Sequence, residues 1–206
     1  MSNAFARIAF TARVREEQAR LGSAGTYDRR LSPDVECDDE LGPREAVFLS
    51  ERDGFFQATV SEAGWPYVQF RGGAPGFLKV IDQRTIGYAD YRGNRQYISA
   101  GNLRHDDRVS IIAVDHVRRQ RLKLLGQVRI TEDPEIVDLL NGFDGPKADR
   151  GIVIRIAAFD WNCPRHIPVR LTDAERDSEI AHLTARISSL EQELANKGVA
   201  TPHVTP

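Results

Sequence analysis

Hydrophobic and polar residues alternate in short runs through the middle of the chain, and turn residues separate the runs. Alternation with a period of two is typical of strands that bury one face. The runs at 55–60 and 65–70 predict a hairpin around Glu62-Ala63-Gly64. Further strands are predicted at 77–81, 85–89, 109–114, 121–130 and 151–158. Six or seven antiparallel strands are enough to close a small barrel.

Helical spacing of apolar residues appears at both ends of the chain and between the strands. A helix is predicted over 4–22, with Thr11 as a cap and Gly22 at its end. Pro43 suits a first helical turn and predicts a helix over 43–52. Shorter helices are predicted at 95–103 and 134–142. The fold class is therefore mainly β with peripheral helices.

The C-terminal segment carries a repeat of its own. Five apolar residues follow a three-four spacing that makes an a/d seam, namely Ile180, Leu183, Ile187, Leu190 and Leu194. Branched residues at a with leucine at d favour a parallel pair of helices, in which Arg186 at g faces Glu191 at e of the partner. Two to three heptads pair weakly alone. The helix therefore either reinforces a dimer made by the barrel or folds back on its own chain.

Composition limits the classes of protein that fit. The chain has 206 residues, 41% of them hydrophobic, which is enough for a real core. Its formal net charge of −2 provides no basic field for nucleic acid. No run approaches the ~20 apolar residues of a membrane span, and the N-terminus lacks a signal-like apolar segment, so a cytoplasmic protein is expected. Two cysteines and five scattered histidines show no metal-ligand or disulfide spacing.

A candidate anion site lies at residues 90–96, DYRGNRQ. Gly93-Asn94 is a turn dipeptide, and the pattern predicts a helix that begins close to Asn94. The first N–H groups of a helix suit an anion, and Arg95 can add a bidentate fork. Asp90 closes the preceding strand, after Ala89. The alternative is that Asn94 is only an N-cap and Arg95 a solvated residue.

Three other segments carry residues suited to an anionic, planar ligand. Arg71 and Lys79 flank a glycine-rich turn. The period of two places Arg121 and Lys123 on one face of the strand at 121–130, which is either an anion contact or a solvated face. The turn at 160–168 offers Trp161, Asn162 and His166 to a ring, although a core tryptophan, a turn-capping amide and a structural histidine are the alternatives.

Four of these segments together resemble a known family. FLSERDGFFQATVSEAGWPYVQFRGG, DYRGNRQYISAGNL, RLKLLGQVRI and DWNCPRHI are similar to the flavin-nucleotide-binding branch of the pyridoxamine 5′-phosphate oxidase-like proteins, over roughly residues 41–171. The resemblance implies an FMN-binding split β-barrel and a homodimer with FMN sites at its interface. Together with the helical patterns at the two ends, it predicts the domain organisation 1–40 (N-terminal helical extension), 41–172 (split-barrel flavin-binding domain), 173–197 (coiled-coil-like helix) and 198–206 (disordered tail).

Carried over by motif, the resemblance implies that Arg95 binds the phosphate and that Gln96 matches the basic or polar residue that follows this arginine in the family. It also implies that Lys79 and Trp161 contact the cofactor. Arg121 stands where the oxidase has a flavin-contacting glutamine. Gln96 replaces a phosphate-contacting lysine, and the oxidase's substrate motif is not intact at 162–171, so pyridoxamine phosphate is not the expected substrate.

The sequence thus predicts an FMN-binding protein and a flavin-dependent oxidoreductase of unknown substrate. The alternatives are a non-catalytic flavin-binding module, or a split barrel that binds deazaflavin or haem. The predicted cofactor-binding residues are Arg71, Lys79, Ala89, Asp90, Asn94, Arg95, Gln96, Arg121, Lys123, Trp161 and Asn162.

Overall fold

A computed structural model of the protein describes residues 3–32, 39–141 and 148–197. Seven strands form one antiparallel sheet in the order β2-β1-β5-β6-β7-β4-β3. The strands are β1 Gly54–Val60, β2 Pro66–Gly72, β3 Lys79–Asp82, β4 Thr85–Asp90, β5 Arg108–Asp115, β6 Gln120–Thr131 and β7 Arg150–Trp161. Each predicted strand is present, which confirms the mainly β fold class.

The sheet curls on itself to enclose the core. Phe55 on β1 and Tyr88 on β4 pack edge to face with ring centroids 5.5 Å apart, although three strands separate β1 from β4 in the sheet order. Phe77 stacks on the other side of Phe55 at 5.7 Å. Strands so distant in the order meet only when the sheet is strongly curved into a barrel. The edge strands β2 and β3 do not pair with each other, so the barrel is split between them.

Seven α-helices accompany this sheet in the described part of the chain. They are α1 Asn3–Ala9, α2 Ala12–Arg20, α3 Ala24–Asp28, α4 Pro43–Ser50, α5 Ile98–His105, α6 Pro134–Asn141 and α7 Asp173–Asn196. The single helix predicted over 4–22 is wrong, because the chain breaks between α1 and α2. Thr11 has extended backbone there and caps α2, its Oγ1 accepting a bond from the N–H of Val14 at 3.4 Å.

The first helix, α1, lies against β7. Ala4 and Ala6 of α1 are buried, and Arg30, just after α3, pairs with the buried carboxylate of Asp160 at 3.4 Å. Lys123 on β6 reaches the same carboxylate at 3.1 Å. A buried carboxylate is tolerated when cations pair with it, so this ion-pair cluster joins the N-terminal segment to the barrel.

The C-terminal helix α7 stands apart from the barrel. It begins with a capping box in which Thr172 Oγ1 accepts the N–H of Glu175 at 3.3 Å. All residues of α7 are exposed along its length. The fold-back on the barrel is therefore not observed. The predicted disordered tail, 198–206, lies outside the described residues.

Within those described residues, no helix combines the length and the apolar character needed to cross a membrane.

Candidate anion-binding site

The loop between β4 and α5 has an unusual backbone. Gly93, Arg95 and Tyr97 have φ angles of 48°, 61° and 52°, which lie in the left-handed region. Glycine adopts such angles freely, whereas arginine and tyrosine adopt them at a cost. The Asn94 side chain accepts the N–H of Gln96 at 3.2 Å and helps to hold the turn. Strained backbone of this kind persists where the surrounding structure fixes it, and it is concentrated at functional sites.

This loop delays the start of the helix. α5 begins at Ile98, with Tyr97 at its N-cap, so the predicted start near Asn94 is wrong. The physical reason is that residues with positive φ, such as Arg95 and Tyr97, cannot belong to a right-handed helix. The open N–H groups of the helix start are therefore those that follow Tyr97, and Ile98 belongs to the wall of the adjacent cavity.

Two arginines share one buried carboxylate beside the loop. Asp90 ends β4, and its carboxylate pairs with Arg71 of β2 at 3.3 Å and with Arg150 of β7 at 2.5 Å. The group as a whole carries one net positive charge. The Nε of Arg71 is buried and has no hydrogen-bond partner among the described residues. An unpaired buried donor is costly, so the arrangement favours an acceptor at this place.

These residues meet at a cavity of about 250 Å³. It is lined by five of the predicted residues, namely Arg71, Asp90, Asn94, Arg95 and Gln96. A second cavity of about 580 Å³ adjoins it through Arg71 and Gly93. Lys79 and Ala89 line this second cavity, together with the glycine-rich turn 72–76. Seven of the eleven predicted residues therefore lie on two connected cavities.

Trp161 lies in a different place. Its indole N–H donates to the carboxylate of Glu45 at 2.6 Å, and its ring packs edge to face on Phe48 at 4.8 Å. The guanidinium of Arg44 lies over the ring, 4.1 Å from its centre. These contacts fasten α4 to the end of β7. Within one chain, Trp161 serves packing and lines neither cavity.

The remaining three predicted residues lie next to Trp161 rather than at the cavities. Lys123 pairs with Asp160, and its ammonium lies 4.5 Å from the ring centre of Phe5 in α1. The backbone N–H of Asn162 donates to the carbonyl of Arg121 at 3.1 Å. The Nε of Arg121 is buried without a partner in the described part of the chain. One chain alone does not bring these residues to the loop.

Two residues of the cavity wall are not among the predicted site residues. Gln69 lies two residues before Arg71 on the same face of β2 and accepts a bond from the Ser99 hydroxyl at 2.8 Å. The alternation along β2 was a usable signal for Gln69. Arg150 had no such signal, because it meets Asp90 only through the register between β4 and β7.

Tyr88 is buried in the core of the barrel and lines the second cavity. Its hydroxyl donates to the side-chain oxygen of Gln57 at 2.8 Å. Burial raises the pKa of the Tyr88 hydroxyl from 10.0 to about 12, although the nearby charge of Arg71 opposes the shift. The neutral phenol is therefore the form that the folded protein keeps.

This pKa predicts a loss of stability in alkali. Above pH 10 the unfolded chain loses the Tyr88 proton while the folded protein retains it, so the free energy of unfolding falls until about pH 12. Between pH 9 and pH 11.5 the Tyr88 contribution falls by about 2 kcal/mol. Urea unfolding at both pH values measures it. Tyr88→Phe should remove this contribution to the pH dependence, while costing about 1–3 kcal/mol at neutral pH because Gln57 loses its donor. An equal decline in the variant would contradict the assignment.

The sheet is an antiparallel barrel that stays open between its edge strands β2 and β3. An arginine-rich cavity lies where the barrel meets the loop before α5. These features place the protein in the class of split β-barrels. The family model of pyridoxamine 5′-phosphate oxidase matches residues 42–161, which is more than half of the chain. The chain belongs to this family, and both the split-barrel fold and the predicted family are confirmed.

Solved structures resemble the chain at low identity. A variant of HupZ from Group A Streptococcus is 14% identical and superposes over 59% of this chain and 98% of its own, with a TM-score of 0.49. An FMN-binding protein related to pyridoxamine 5′-phosphate oxidase, from Nostoc punctiforme, is 11% identical over 66% of this chain and 94% of its own, with a TM-score of 0.48. A candidate pyridoxamine 5′-phosphate oxidase from Lactobacillus delbrueckii is 21% identical over 59% and 94%, with a TM-score of 0.47. No curated protein matches the sequence.

Proposed function

We propose that the protein binds FMN at the two connected cavities and acts as a flavin-dependent oxidoreductase. The observation that carries the proposal is the meeting of Arg71, Arg95 and Arg150 with the start of α5 at one cavity, in a chain of this family. Phosphate is the ligand group that guanidinium forks and a helix N-terminus suit best.

The charges around the first cavity fit a phosphate. Arg71, Asp90 and Arg150 together carry one positive charge, and no carboxylate of the described residues pairs with Arg95. These two charges match a phosphate dianion, and the N-terminus of α5 adds a partial positive charge. Arg150 supplies the charge that the family pattern leads one to expect at Gln96. This placement of Arg150 supports phosphate binding despite the glutamine at position 96.

The second cavity fits the ring system. Its volume falls within the range of small-molecule sites, and its walls combine aromatic side chains with the glycine-rich turn. Phe77 and Tyr91 can contact the flavin ring, and the glycines allow close backbone approach. When bound, the flavin supplies hydride or single-electron transfer, while the chain supplies anchorage, orientation and exclusion of water.

The proposal includes a homodimer. The outer face of the β1–β2 hairpin is apolar and exposed, with Phe56 packed on Phe70 at 5.4 Å and Val68 beside them. Trp65, in the turn of the same hairpin, is 76% exposed. A contiguous exposed apolar face is typical of a protein interface. Arg121, Trp161 and Asn162 do not line the cavities of one chain, and the resemblance implies flavin sites at the dimer interface, so the proposal assigns these three residues to the site of the second chain.

The visible absorption spectrum tests the cofactor. The purified protein is measured before and after the addition of FMN and removal of the excess. Flavin bands near one equivalent per chain support the proposal, whereas a protein that fails to retain FMN contradicts it. Reduction of the bound flavin by NADH or NADPH, followed by reoxidation, separates an oxidoreductase from a non-catalytic flavin-binding module. Deazaflavin and haem are distinguished by their own absorption bands.

Arg95 provides the sharpest test of the phosphate site. Arg95→Ala should weaken FMN binding by about 1.5–3 kcal/mol, the value of a charge-assisted phosphate contact. Fluorescence titration measures it. Arg95→Gly should weaken FMN binding by the same amount. Because glycine adopts the positive φ of Arg95 without strain, an equal loss shows that the missing side chain, and not a change in backbone strain, weakens binding.

Riboflavin, which lacks the phosphate, is the internal control for this test. Both Arg95 variants should bind riboflavin as the unmodified protein does. Arg108→Ala, which removes an exposed arginine paired with Asp106, should leave FMN binding unchanged. Equal losses for FMN and riboflavin would refute the phosphate assignment.

A further inference from the structure

The helix α7 presents an apolar seam that nothing in the described chain covers. Its five seam residues are each between 39% and 57% exposed, namely Ile180, Leu183, Ile187, Leu190 and Leu194. The intervening exposed positions are polar or small, such as Ala181, Ser188 and Gln192. The apolar residues therefore form one narrow stripe, which is the pattern of a coiled-coil helix rather than of a helix that packs broadly on a domain.

A helix in this situation needs a partner. Most helical stability in proteins comes from packing of an apolar face, and a solitary helix is marginal in water. The capping box at Thr172 and Glu175 stabilises the first turn of α7, but it does not replace the stability that burial of the apolar seam would provide. The barrel does not serve as the partner, because all of α7 is exposed. None of the described residues covers the seam, so its partner lies outside that part of the chain.

We propose that α7 pairs with α7 of a second copy of this chain as a parallel two-stranded coiled coil. Isoleucine stands at the a positions Ile180 and Ile187, and leucine at the d positions, which is the combination that favours two parallel strands. Arg186 at g then faces Glu191 at e of the partner helix, and symmetry makes this attraction occur twice. The seam is self-complementary, so a second copy is the occupant that it fits.

The number of seam residues also decides the direction. Antiparallel helices pair an a position with a d position. The seam has three a residues and two d residues, so an antiparallel pair matches at most four of the five. Either Ile180 then meets Lys197 or Leu194 meets Arg176. A parallel pair in register matches all five and buries about 22 Å of seam, at 1.5 Å per residue over fifteen residues.

The coiled coil ties two barrels together whether or not a flavin is bound. The paired stretch is short, so its effect comes from linkage: once α7 pairs, the barrels meet at a high effective concentration. The first heptad has Asp173 at a and Arg176 at d, so pairing begins one heptad after the cap. That polar heptad and the segment 162–171 separate the seam from β7. The family match ends at residue 161, so this device lies outside the family model.

Cysteine cross-linking of the full chain tests both pairing and direction. Cys37→Ser and Cys163→Ser remove the native thiols, and Ile180→Cys or Leu194→Cys is added singly. A parallel pair brings each new thiol next to the same thiol of the second chain, within disulfide range. In either antiparallel register the like residues lie ten or more positions apart, about 15 Å. We expect cross-linked dimers from both variants, and none from Ala185→Cys on the opposite face. The absence of a cross-link at both seam positions, or an equal yield at residue 185, overturns the proposal.

Sedimentation equilibrium provides a second, thiol-free measurement. Ile187→Asp should weaken the association of the full chain by about 100-fold, within the range expected for loss of one linked contact. Ala185→Asp is the matched control and should leave the association unchanged. Circular dichroism confirms that the barrel remains folded in both variants. An unchanged dissociation constant for Ile187→Asp would show that α7 does not pair, whatever the state of the flavin site.

Discussion

Phe55→Ala is expected to lower the free energy of unfolding by about 3–5 kcal/mol, the cost of emptying a large aromatic site in a core. Phe55 is buried, stacks on Phe77 with an interplanar angle of 7° and packs edge to face against Tyr88. It joins β1 to β4, strands that meet only because the sheet closes. The cavity left by alanine lies at this closure. Urea unfolding followed by tryptophan fluorescence measures the change.

The neighbouring residue is the matched control. Phe56 points to the outer face of the same strand and is 46% exposed. Phe56→Ala should change the unfolding free energy of the single chain by less than about 1 kcal/mol, because it leaves no internal cavity. Its effect should appear instead as weaker association of two chains. If both variants cost the same, the assignment of inner and outer faces to β1 is wrong.

Asp90→Ala is expected to cost about 3 kcal/mol of stability. Removing one partner of a buried ion pair leaves uncompensated charge, typically worth 3–5 kcal/mol. The lower end applies here, because the side chains of Arg71 and Arg150 remain 20% and 19% exposed. Added phosphate should restore part of the loss, since an anion that binds only the folded state stabilises it. Thermal unfolding with and without phosphate measures both effects.

An exposed pair of the same chemistry is the comparison. Asp149 pairs with Arg92 at 2.8 Å, and both side chains are at least half exposed. Asp149→Ala should leave the free energy of unfolding nearly unchanged, as is usual for the loss of a surface ion pair. Were Asp90→Ala equally mild and insensitive to phosphate, the paired arginines would have no need of a counter-ion, and the case for a phosphate at the first cavity would fail.

The strands were readable from the sequence because alternation reports burial directly. The run at 55–60 is β1 to within one residue, and the run at 85–89 is β4 to within one residue. The helix starts were less readable. Hydrophobic spacing does not encode the sign of φ, so it does not reveal the left-handed Arg95 and Tyr97, and the start that it predicts for α5 is too early.

The site was only partly readable for a different reason. Residues that follow one another on a strand or loop, such as Arg95 and Gln96, can be grouped from the sequence. Arg150 and Asp90 are separated by sixty positions, and only the register of two strands brings them together. The alternation along β6 predicts the face on which Lys123 lies, but it does not predict that α1 covers this face.

The cluster around Asp160 has a practical consequence for the limits of the folded unit. The family match begins at residue 42, yet a shortened chain that began there would lose Arg30 and Phe5 together. Among the described residues, Lys123 would then be the one cation left beside the buried carboxylate, and its ammonium would lose the aromatic ring beside it. The family match and the contacts that hold the folded unit together therefore have different limits in this protein, and a chain that begins at residue 42 should be less stable than the full chain.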